Sequence, residues 1–115
     1  MKPTELPAAL EALADWITAA AVPCTVDFNR VAIPGAFLTV GDLDAAMLGR
    51  GWISATAKIH LIAKDSGNQY ALTQLMGMLQ KLQESGLVPT AVETTALELP
   101  TAGTVPALTV TVELE

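Results

Sequence analysis

Trp52-Ile-Ser-Ala-Thr-Ala-Lys-Ile-His-Leu-Ile-Ala-Lys64 carries the strongest strand signal in the chain. Ile53, Ala55, Ala57, Ile59, Leu61 and Ala63 share one parity; Trp52, Ser54, Thr56, Lys58, His60 and Lys64 share the other, with Ile62 the exception. Successive strand side chains point to opposite faces, so the pattern predicts one buried and one solvated face. A usual strand runs about 5–6 residues, so this one either bends around the core or projects beyond it as an arm. An arm would place the preceding stretch at its tip.

That preceding stretch, Gly41-Asp-Leu-Asp-Ala-Ala-Met-Leu-Gly-Arg-Gly51, reads as a glycine-bounded loop. Before it come a short strand at Phe37 to Val40, a Pro34-Gly35 turn, and a strand at Cys24 to Asn29 where Cys24, Val26 and Phe28 alternate with polar residues. The chain opens with a helix over 4–21. Thr4 is placed to cap it, Pro7 falls in its first turn, and Leu6, Leu10, Leu13 and Ile17 form one stripe. Pro23 ends it by forcing Val22 out of helical geometry.

Downstream, Asp65 to Asn68 break the long strand, and Ser66 with Gln69 fits a capping box for a second helix. Leu72, Leu75, Met76, Leu79 and Leu82 are its expected buried stripe, at about 1.5–3 kcal/mol each if fully buried. Gly86 suits a left-handed ending in which Leu87 meets Leu82. In the strand from Val88 to Leu99 the alternation changes phase, which a bulge near Thr94-Thr95 would repair. After the connector Pro100 to Pro106, Leu108, Val110, Val112 and Leu114 alternate cleanly with polar residues. The order α-β-β-β-α-β-β predicts an α+β fold, a mostly antiparallel sheet with both helices packed on one face.

A chain of 115 residues is long enough for one domain and too short for two. Residues 1–115 therefore read as a single α+β domain with a projecting loop or arm around 41–52. Hydrophobic residues make up 51 % and charged ones 16 %, with a mean hydropathy of +0.45. In so small a domain this balance suggests surface hidden in an oligomer. Twelve acidic against six basic residues leave a charge of −6, and the cations Lys2, Arg30, Arg50, Lys58, Lys64 and Lys81 are scattered. Nucleic-acid readers cluster their cations against phosphates, so DNA binding is not expected. Cys24 alone cannot form an intrachain disulfide and fits a reducing compartment or a virion. With neither a signal-peptide pattern nor a run of about 20 apolar residues, the chain is expected to be soluble.

No chemistry assembles from the motifs. His60, the single histidine, sits between Lys58 and Ile62 and reads as a surface strand residue, without the partners that proton transfer or nucleophilic catalysis needs. One Cys and one His far apart do not make a zinc site. Asp42 and Asp44 lack the alternating oxygen ligands and closing Glu of a calcium loop. The glycine-rich stretch has neither a P-loop Lys-Ser/Thr nor a dinucleotide fingerprint. We assign no catalytic, cofactor-binding or metal-binding residue and expect no cofactor and no enzyme activity. The candidate residues are protein contacts: Asp42, Leu43, Asp44, Met47, Leu48 and Arg50, with Trp52 on the polar parity of its strand and Trp16 off the helical stripe. Each tryptophan is a partly buried boundary residue or an anchor for a partner chain. Met76 is expected to fill the core.

Three segments carry a likeness to a known family. They are the amphipathic opening helix ending in Ala-Val-Pro23 and leading into a strand; the Gly41-Asp42 turn leading into Ile53 to Ala63; and the Leu-rich stretch Tyr70 to Leu87 followed by two strands, the last reading Pro106-Ala-Leu-Thr-Val-Thr-Val-Glu-Leu114. In this pattern the chain resembles the tail terminator proteins of long-tailed (siphovirus-type) bacteriophages. The resemblance implies a structural virion protein that forms a ring, hexameric in that family. Such a ring caps the tail tube, stops its polymerisation and offers the docking surface for the head or neck. Implied partners are copies of the chain itself, the tail tube protein and the head–tail connector or neck protein, with no membrane. Genome DNA would pass through an acidic lumen without specific binding. The implied locations are the phage tail or neck and, during assembly, the bacterial host cytoplasm. Two rivals stay open: another ring-forming neck component (a head–tail connector or head-closure protein), and a small ligand-sensing module of the ferredoxin-like kind. The second needs a convergent polar cluster that the sequence does not display.

Overall fold

The computed structural model describes residues 3–20, 22–27, 35–44, 54–63, 68–99 and 103–114. After a 3-10 turn at Pro3–Glu5, the elements are α1 (Leu6–Ala19), β1 (Cys24–Thr25), β2 (Gly35–Asp44), β3 (Ser54–Ile62), α2 (Asn68–Glu84), β4 (Ala91–Leu99) and β5 (Gly103–Leu114). The long alternating strand of the sequence is β3, and it lies in the middle of a five-stranded sheet ordered β1-β2-β3-β5-β4. Its neighbours β2 and β5 are antiparallel to it, β4 is antiparallel to β5, and only the short β1 runs parallel, beside β2. The fold is α+β.

Ala55, Ala57, Ile59, Leu61 and Ala63 are all buried, as the alternation requires of a central strand. Above them lie Ala14 and Ile17 of α1 and Ala71, Leu75, Met78 and Leu82 of α2, in one cluster with Ala36 and Leu38 of β2 and Leu108, Val110 and Val112 of β5. Both helices therefore cover the same face. Ala14, Ala36, Ala57, Ala63 and Ala71 lie inside this cluster, where a small side chain lets helix and sheet approach closely. Ile62 breaks the alternation because it serves the other face: with Phe37, Val105 and Ala107 it forms a second, smaller buried cluster.

Several boundaries differ from the sequence reading. The opening turn is 3-10, and Glu5 rather than Thr4 takes the cap position of α1, with no side-chain cap bond. Among the described residues the expected strand 24–29 is reduced to Cys24–Thr25, because the Thr25 hydroxyl accepts the Asp27 N–H at 3.1 Å and turns the chain; residues 28–29 lie outside the described set, as do Ser66 and the proposed capping box. On α2 the buried row is Ala71, Leu75, Met78 and Leu82, while Leu72 and Met76 are 49 % and 41 % exposed. Apolar side chains occupy two adjacent rows of this helix, and the row containing the smallest of them faces the sheet. Met78, not Met76, fills the core. No bulge interrupts β4, whose register with β5 is continuous from Ala91↔Thr111 to Leu99↔Gly103. The phase change in its sequence is tolerated because β4 is an edge strand, with Ala91 to Thr95 all exposed.

The end of α2 matches expectation. The Gly86 N–H donates to the Gln83 carbonyl and the Leu87 N–H to the Leu82 carbonyl, both at 3.0 Å, and Gly86 has φ of 105°. This is a Schellman ending, with Leu87 packed against the core cluster that contains Leu82. It aims residues 87–90 away from the helix and toward the start of β4.

Candidate interaction surface

Asp42, Leu43 and Asp44 are not loop residues: the structure places them at the end of β2, paired with β3. Register shifts between Val40 and Leu43, so Gly41 and Asp42 together oppose Thr56. The Asp42 N–H finds its acceptor in the Thr56 hydroxyl at 2.7 Å. Pairing then resumes as Leu43↔Ala55 and Asp44↔Ser54. Leu43 is 57 % exposed and Asp42 is exposed. Met47, Leu48, Arg50 and Trp52 lie outside the described residues, as does the rest of the proposed arm.

Trp16 stands elsewhere. It projects from α1, 37 % exposed, into a groove of about 430 Å³ walled also by Leu13, Leu87, Val88, Val112, Glu113 and Leu114. Val88 is 81 % exposed. The Thr90 N–H donates to the Thr111 carbonyl at 2.8 Å and so fixes this corner to β5. Leu43, Ala55 and Leu114 form one row of the sheet register. The end of the β2–β3 pair and the groove thus occupy the same end of the sheet on opposite flanks. Beyond the groove, β4 pairs among the described residues with β5 alone; it contains no Lys and no Pro, and its charged residues are Glu93 and Glu98.

Two groups with chemical potential lie away from this corner. On the face opposite the helices, His60 Nε2 is 2.8 Å from the Thr39 hydroxyl and Nδ1 is 3.1 Å from the Thr109 hydroxyl, and Phe37 stacks on the ring at 4.6 Å. Burial, and secondarily the Lys58 charge, hold its pKa below the ordinary value. Both ring nitrogens are engaged in bridging three strands. Cys24 is half-buried where Thr18 joins α1 to β1: the Thr18 hydroxyl donates to the Ala14 carbonyl at 2.9 Å and accepts the Cys24 N–H at 3.3 Å. Burial pushes the thiol up to about 12, against a smaller lowering by a backbone hydrogen bond from Thr25. Among the described residues no group of three His, Cys, Asp or Glu side chains could hold a metal ion, and no helix is long and apolar enough to cross a membrane.

Of the sequence candidates, the structure brings Asp42, Leu43 and Asp44 to one flank and Trp16 to the other. Sequence reasoning missed Val88 as a surface feature. The alternation from Val88 onward predicts strand there, and only the position of Val88 between a Schellman ending and Pro89 marks it as outside the sheet. Fold and surface together define a two-layer α+β protein with an exposed edge strand and an apolar corner. No family profile, curated protein or solved structure matches the chain.

Proposed function

We propose that this protein is a structural, non-catalytic ring subunit: a phage tail terminator that caps the tail tube, stops its growth and docks the head or neck. One observation carries most weight. Exposed Leu43 lies on one flank of the sheet, and the Trp16–Val88 groove lies on the other. Two unlike surfaces on a single subunit favour head-to-tail association, and such contacts close into rings when the rotation allows. The edge strand β4 and the uncharged outward row Leu72–Met76 add surface suited to tube and neck proteins. A charge of −6 per subunit would make the ring strongly negative, so genome DNA would pass without adhering. The assigned location is the virion, at the tail–neck junction.

Electron micrographs of tails assembled without this protein test the reading. Overlong or unjoined tubes are expected; tails of normal length that join heads would sink it. A head–tail connector role is separated by binding: a terminator binds purified tail tubes, a connector binds filled capsids.

A further inference from the structure

We propose that the outward row Leu72, Met76, Leu79 and Gln83 of α2 is the seam of a two-fold dimer, each copy laying its α2 along the α2 of the other. The inference concerns the free chain, before any tube or neck protein meets that row, and goes beyond the ring reading above. These residues follow one another at steps of four, three and four, the spacing that lets two helices mesh along a seam. The row Ala71, Leu75, Met78 and Leu82 has the same spacing and is already covered by the sheet. The second row is not: Leu72 is 49 % and Met76 41 % exposed, and Leu79 is only partly buried.

Charge and space select the occupant. A chain of charge −6 repels its own copies wherever carboxylates would meet. α1 presents exposed Glu11 and Asp15, whereas the α2 row holds no charge. Two copies of this chain can therefore close on each other there without opposing carboxylates. α1 packs over β1 and β2, and α2 over β3 and β5. On the α1 side of α2, Gly77 and Lys81 line a groove with Val22 and Pro23, so the Leu72–Met76 row lies on the side toward β4. There Val92 sits directly opposite Val110 and Thr94 opposite Leu108, which turns both toward the helix layer. Val92 is 42 % exposed and Thr94 is exposed. A second helix at the usual spacing of about 8–10 Å from α2 fills the place above β4. Copies with coplanar sheets could not bring their α2 helices so close, because their β4 strands would collide first. The two sheets therefore sandwich the paired helices, which run parallel, and Leu72 meets its own counterpart across the two-fold.

Sedimentation of the full chain over a range of concentrations is compared with Leu72→Glu, which sets two carboxylates against each other at the seam, and with Gln83→Leu, which removes its polar step. Leu72→Glu is expected to associate at least about tenfold more weakly than the unaltered chain, and Gln83→Leu more tightly by a similar factor. Position 72 is exposed, so the separate Leu72→Glu chain is expected to stay folded. An unaltered chain that is monomeric at every concentration would overturn the proposal, and so would a Leu72→Glu chain that associates like it. Cross-linking reads the orientation. In a Cys24→Ser background, Leu72→Cys is expected to form a disulfide-linked dimer under diamide, while Glu11→Cys on α1 is not. Any other pattern places the contact on another surface and overturns the proposal. Neither experiment involves tails, whose length in micrographs tests the ring reading separately.

Discussion

Thr56 occupies the space that a side chain on Gly41 would need, while its hydroxyl accepts the neighbouring Asp42 N–H at 2.7 Å. The bulge thus depends on a missing Cβ on one strand and a hydroxyl on the other. Gly41→Ala is expected to destabilise the protein by about 1–3 kcal/mol, the usual cost of overpacking. Thr56→Ala removes the colliding atom, so the double variant should lose less than the two single losses combined. Urea unfolding measures both; strict additivity would mean the two residues do not press on each other.

The rotation of α2 makes a contrast between neighbouring leucines. Leu75→Ala and Leu82→Ala each empty a buried position and should cost about 2–5 kcal/mol. Leu72→Ala and Met76→Ala change exposed positions and should stay within about 0.5 kcal/mol of the unaltered chain. Thermal or urea midpoints decide it, and the reverse ranking would place the other helix row against the sheet.

His60 gives stability a pH dependence of known sign. Its folded-state pKa lies below the ordinary 6.5, through burial first and the Lys58 charge second. As pH falls, the unfolded chain takes up the proton first, so stability is fully present above 6.5 and declines below it toward the folded value. Between pH 7 and 5 the unaltered protein should lose stability more steeply than His60→Gln. Equal slopes in the two unfolding series would rule out this contribution.

Cys24 should be a poor nucleophile while the fold is intact. A thiol moved from 9.0 to about 12 has roughly a thousandfold smaller thiolate fraction at neutral pH, and the thiolate is the reacting species. Labelling with a disulfide reagent should therefore be slow in buffer and fast in denaturant. Comparable rates in both would show that the thiol is not shielded.

Periodicity made the helix–sheet layer legible. The β3 alternation, the clean pattern of β5 and the Gly86 ending each depend on local geometry that few neighbours can override. Reading was weakest where one element offers two apolar rows, as α2 does with Leu72–Met76 beside Leu75–Leu82. It was weak again where an exposed edge relaxes the demand for a single buried face, as in β4. Trp16 was recognisable as unusual, and its partners in the groove were not.

The sequence by itself determined the class of fold, its order of elements and the residues of the central strand, because alternation and capping act between residues close along the chain. Tertiary structure alone decided which row of α2 is buried, since that depends on which side chains fit the sheet beneath. It also brought Trp16, Val88 and Glu113 to one corner and set Leu43 in register with Ala55 and Leu114. Those residues are distant along the chain, and only the strand order β2-β3-β5-β4 puts them at the same end of one sheet.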